Sequence, residues 1–122
     1  MDPSLVDPKD FEGMVSDALD RLPEWTAPIV REIAVLVEDW PRPGEAPENG
    51  LLLVLFRGVP RTAYGDRPPG MLPDTITIYR IPVLLVCERP EDVPERVFKV
   101  VGHEVGHAMG LGEQILRDLG WH

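Results

Sequence analysis

Five consecutive residues, His103-Glu104-Val105-Gly106-His107, hold the groups best able to do chemistry, in the pattern H-E-x-x-H. On an α-helix, side chains four residues apart stand on one face, one turn from each other. Both imidazoles would then converge on one point, where a metal ion can sit. Glu104 is next to the first histidine, rotated by about 100° around the axis. It can reach a water held by the metal without ligating the metal itself. Zn2+ between two such histidines, with that glutamate as general base, is the working centre of a zinc hydrolase. The plainer alternative is a pair of surface histidines. The pattern fixes three positions, however, and uses two of the chain's three histidines, which favours a metal.

A catalytic zinc takes three protein ligands and keeps a further position open for water. Downstream of His107 the oxygen and nitrogen donors are Glu113, Gln114, Asp118 and His122. From His103 to Glu113 the chain reads H-E-x-x-H-x-x-G-x-x-E, the metzincin spacing with glutamate in place of the third histidine. A straight helix would carry Glu113 about 9 Å past His107, so a ligand role requires a break at Gly110. Glycine supplies the positive φ for such a turn without a Cβ penalty. Glu113 can also be read as the N-terminal acid of a last helix, Glu113 to Leu119; the two roles are compatible, and the spacing favours the ligand. With His103, His107 and Glu113 on zinc, Glu104 would accept a proton from the attacking water and pass it to the leaving amine. Tyr64, Tyr79, Arg80 and His122 are oxyanion-stabilising candidates by side-chain type alone.

The elements that must position these groups are legible in part. Asp7-Pro8 is a cap followed by proline at a first helical position. Phe11, Met14, Val15, Ala18, Leu19 and Leu22 then form an amphipathic stripe that Pro23 ends. Pro28 sits in a connector with room for one helical turn. Ile33 to Val37 reads as a strand closed by Glu38 and Asp39. Pro41 to Gly50 is a polar loop. Leu51 to Phe56 is an apolar run of strand length, expected at the centre of a sheet. Gly58 to Asp74 is a second long loop, of a length that is usually functional or mobile. Thr75 to Tyr79 alternates polar and apolar like a half-buried strand, and Pro82 beyond it suggests a sheet edge. Val83 to Cys87 reads equally as a short strand or as the lead into the next helix. After an acidic start at Glu91 to Pro94, Val97, Val101, Val105 and Met109 form a buried stripe, with His103 and His107 on the far side. Gly102 and Gly106 on that helix predict close approach of a neighbouring backbone, since an interior glycine otherwise costs about 1 kcal/mol.

Length and composition set the outer limits. A chain of 122 residues is expected to form one domain. A net charge of −9 argues against nucleic acid and anionic membrane surfaces as partners. No apolar run approaches the ~20 residues that span a bilayer, and the acidic N-terminus lacks the pattern of a signal peptide. The single Cys87 excludes an internal disulfide framework and reads as a buried thiol. Together these predict a cytoplasmic protein.

The chain resembles the small bacterial zincin-like metallopeptidases, the minimal zincins. The resemblance runs through Val37-Glu38-Asp39 and Gly58-Val59-Pro60-Arg61-Thr62. It continues in Leu72-Pro73-Asp74-Thr75-Ile76-Thr77-Ile78-Tyr79-Arg80 and in the helix from Val97 to Gly110. It implies an α+β fold over residues 1–122: a small mixed β-sheet packed with an active-site helix and a few other helices. In that family an acid is typical at the third ligand position, which Glu113 matches. By analogy with zincins, Ile76, Thr77 and Ile78 would belong to the edge strand that lines the cleft, where a peptide could add as a further strand. The resemblance thus implies a peptide or protein substrate. The competing expectation is a zinc-containing module that binds peptides without cleaving them; Glu104 argues against it, because a structural zinc has no use for that acid.

Overall fold

The computed structural model describes residues 1–48, 50–58 and 73–122. Most of the expected second loop, and with it Tyr64, lies outside the described residues. Helix α1 spans Pro8–Arg21, with the Asp7 carboxylate accepting from the Asp10 amide at 2.7 Å, as the Asp-Pro start predicts. Helix α2, Ala27–Val30, is a single turn. Strand β1 (Ile33–Glu38) follows, then β2 (Val54–Arg57) and β3 (Asp74–Tyr79). Three helices complete the chain: α3 (Arg80–Val86), α4 (Val93–Ala108) and α5 (Glu113–Leu119). This is the expected α+β architecture.

The strand order is β1-β3-β2, so the sheet is mixed. β1 pairs parallel with β3, Val35 opposite Ile76 and Val37 opposite Ile78. β2 pairs antiparallel with β3, Val54 opposite Ile78 and Phe56 opposite Ile76. Alternation puts these apolar residues on one face. Ile76 and Ile78 are fully buried there, in a core shared with Phe11 and Val15 of α1 and Val97, Val101 and Val105 of α4. α1 packs along α4, which carries the predicted apolar stripe inward.

Two expectations about the sheet are corrected. Ile76, Thr77 and Ile78 belong to the central strand, bonded on both sides, and not to an edge that could line a cleft. The run from Leu51 forms a strand only from Val54 and lies at the edge. Pro82 misled because it marks a helix start. It is the third residue of α3, where a missing N–H removes no helical bond. Arg80 fixes that start: its guanidinium donates to Asp39 at 2.9 Å and to the Val6 carbonyl at 2.9 Å. On the other sheet face the buried Tyr79 hydroxyl donates to Glu45 at 3.1 Å, and Arg57 pairs with the same carboxylate, holding the polar loop against the sheet. Burial and that carboxylate raise the Tyr79 pKa, while the Arg42 amide chiefly lowers that of Glu45.

Candidate metal centre

α4 ends where the glycine pattern requires. Gly110 has φ of 80°. The Leu111 amide donates back to the Gly106 carbonyl at 2.9 Å, and the Gly110 amide to the His107 carbonyl at 2.9 Å. These are the paired bonds of a Schellman turn, with glycine at the left-handed position. The chain reverses, and Glu113 begins α5 beside the histidines. Its carboxylate oxygen lies 3.3 Å from His107 Nε2. His103 and His107 place their Nε2 atoms 2.8 Å apart. One donor atom each from His103, His107 and Glu113 falls within 4.8 Å of the others.

A second set of bonds fixes His103. Gly120, with φ of 79°, ends α5 with the same turn: Trp121 N–H to Leu116 carbonyl at 2.8 Å, Gly120 N–H to Arg117 carbonyl at 3.0 Å. The Trp121 carbonyl is thereby delivered 2.9 Å from His103 Nδ1. A carbonyl only accepts, so Nδ1 carries the hydrogen and the Nε2 lone pair is presented to the site. Sequence reasoning missed this contact, since the acceptor is a backbone atom. Its signal lay in the glycines of α4. A Cβ on Gly102 would stand 2.8 Å from the Trp121 ring, and one on Gly106 2.2 Å from a Leu116 methyl. The close approach predicted there comes from side chains of the C-terminal segment rather than from backbone. Trp25 stacks on the outer side of Trp121, ring centroids 5.7 Å apart.

These residues fit a metal. Two donors at zinc–ligand distances of about 2.0–2.2 Å and a tetrahedral angle lie about 3.3–3.6 Å apart. The His107–Glu113 separation matches, and the two Nε2 atoms need to part by about half an ångström. The outer-shell acceptor on the first histidine is the usual companion of a metal-bound imidazole.

Glu104 stands outside that donor cluster and lines a neighbouring cleft of about 310 Å³. His103, Val100 and the stretch Leu52–Val54 line it too. Burial pushes the Glu104 carboxyl above its ordinary pKa, opposed by the two nearby histidines. The strand bordering this cleft is the sheet edge. The Tyr79 amide donates to the Leu53 carbonyl at 2.9 Å. By antiparallel alternation, Leu53 and Leu55 bond inward and Val54 and Phe56 turn their amide groups away from β3. Among the described residues no other strand pairs with that edge. Of the oxyanion candidates, Tyr79 and Arg80 are buried and committed to Glu45 and Asp39, whereas His122 lines the cleft. Cys87 is buried, which raises its thiol pKa, and fits the expected structural thiol.

Residues 30–121 match the model of the zincin-like metallopeptidases, and the chain belongs to that family. The family implies a metal, typically zinc, and the cluster of His103, His107 and Glu113 could bind one. A solved structure of a conserved hypothetical protein from Thermus thermophilus shares the fold. The likeness has a TM-score of 0.59 at 20% identity and covers 85% of this chain and 94% of that one. No curated protein matches the chain. No helix among the described residues is long and apolar enough to cross a membrane.

Proposed function

We propose that the protein is a zinc-dependent peptidase that cleaves peptides or proteins in the cytoplasm. His103, His107 and Glu113 are its metal ligands and Glu104 its general base. The observation that carries this reading is the convergence of three donor atoms beside an acid in a cleft. Zinc held there supplies Lewis acidity and brings the ionisation of a water toward neutral pH. The Trp121 carbonyl keeps Nδ1 of His103 protonated and so commits Nε2 to the metal. Glu104 takes the proton of the attacking water on a carboxylate oxygen and hands it to the leaving nitrogen. Its burial strengthens it as a base relative to an exposed carboxylate. The substrate lies extended along the edge of β2 that no described strand covers, bonding to the outward amide groups of Val54 and Phe56.

The test is Glu104→Gln, which keeps size and removes the base. The variant retains zinc and fold while turnover of a susceptible peptide falls by about 10² to 10⁴. Unchanged turnover would refute the role given to Glu104. A zinc-loaded wild-type protein that binds peptides and cleaves none would favour the binding module instead.

A further inference from the structure

We infer that the cleft beside Glu104 selects peptides bearing a carboxylate two or three residues from the bond to be cut, held by Lys99 and Arg96. The inference rests on the peptidase reading above. Arg96, Lys99 and His103 succeed one another at spacings of three and four, so they share one stripe of α4. All three line the same cleft, opposite Leu52–Val54. Among the described residues the one acid lining it is Glu104, already assigned to the chemistry.

The two cations have no carboxylate partner among the described residues, in a chain with 21 acidic and 12 basic side chains. Other arginines do find one. Arg21 pairs with Glu95 at 3.2 Å, Arg80 with Asp39 at 2.9 Å, and Arg89 with Asp92 at 3.6 Å. Glu88, Asp92 and Glu95 border an adjoining cleft that Arg96 and Lys99 also line. Asp92 and Glu95 are thus engaged by other arginines, and among the described residues the partner shown for Arg96 is the Cys87 thiol. The positive end of the cleft is therefore open to an incoming anion on an otherwise acidic protein, an arrangement that orients acidic ligands toward it.

The helix sets the spacing. Lys99 and Arg96 precede His103 by four and seven residues, about 6 and 10 Å along the axis. An extended peptide advances about 3.4 Å per residue, so these lengths correspond to two and three residues. The carboxylate can belong to an Asp or Glu side chain or to a peptide C-terminus; the cations recognise both.

The test uses binding, so it does not depend on turnover. Zinc-loaded Glu104→Gln protein is titrated into fluorescein-labelled peptides that differ only by Glu or Gln at successive positions, each with a free or an amidated C-terminus. Glu peptides are expected to bind about threefold to fivefold tighter than their Gln counterparts at low salt, with the gap closing in 0.5 M NaCl. A gap that survives amidation assigns the site to side chains; one that vanishes assigns it to the C-terminus. Arg96→Glu with Lys99→Glu, both exposed, should abolish or reverse the preference while circular dichroism stays unchanged. Equal binding of Glu and Gln peptides, no binding of either, or an undiminished preference in the charge-reversed variant would overturn the inference. If the preference holds but wild-type protein cleaves no peptide, the peptidase reading fails and the anion site stands.

Discussion

Gly110 and Gly120 end successive helices with the same pair of backbone bonds and nearly the same positive φ. What they deliver differs. The first turn reverses the chain and returns a side chain, Glu113, to the donor cluster. The second returns a backbone carbonyl, that of Trp121, to the outer nitrogen of His103. One supplies a candidate ligand; the other sets the tautomer and orientation of a second candidate ligand, carried by α4. A single local motif thus builds both layers of the centre, and the residues just past each glycine decide which layer it builds.

The comparison can be broken most sharply at Glu113. Glu113→Ala is expected to weaken zinc binding by more than the ~10–100-fold typical of losing an outer-shell partner. Competition with a zinc-sensitive chelator measures it. Glu113→Gln, which keeps the side chain's size, should fall between the wild type and alanine. If both variants bind zinc as wild type does, the first turn has no ligand to deliver.

A smaller effect is expected at the second turn. Trp121→Ala removes the ring seated on Gly102 and loosens the carbonyl that holds His103, so zinc affinity should drop within that 10–100-fold range. A loss as large as that of Glu113→Ala would erase the distinction between the two turns. The smallest effects sharpen it. Gly110→Ala and Gly120→Ala each force a Cβ into the left-handed region, and each should lower unfolding stability by about 1 kcal/mol in urea titrations. Zinc affinity should fall further in Gly110→Ala, because that turn delivers a candidate ligand itself and the other only an outer acceptor. Equal affinities would count against the assignment of Glu113.

How legible these features were depends on how local they are. The H-E-x-x-H face, the break at Gly110 and the return of Glu113 follow from helical spacing and one glycine. Strand order did not follow. The apolar run at Leu51 and the alternating run at Thr75 look alike whether a strand is central or at the edge, and Pro82 fits a strand boundary as well as a helix start. Thr75 and Thr77 suggested a solvated face, but Tyr79 on that face is covered by the Glu45 loop. Trp121 stayed hidden because its contribution is a backbone oxygen, which every residue type possesses. Lys99 and Arg96 carry no signal in the sequence, because what distinguishes them is the sheet edge that the fold sets opposite them.

Sequence separation along the chain has a kinetic side. His103 and Glu113 are ten residues apart, and Trp121 is only eight further on, whereas the parallel pairing of Ile33 with Asp74 must span 41 residues. By the logarithmic scaling of loop closure, bringing the sheet's ends together costs about 1 kcal/mol more in chain entropy than closing the metal centre. Short loops also close in tens of nanoseconds, long before β pairing is complete. A cation captured at that stage lowers the folding barrier; one captured later only slows unfolding. The candidate donors are gathered in the last fifth of the chain, the placement that would let a bound cation act at the earlier stage.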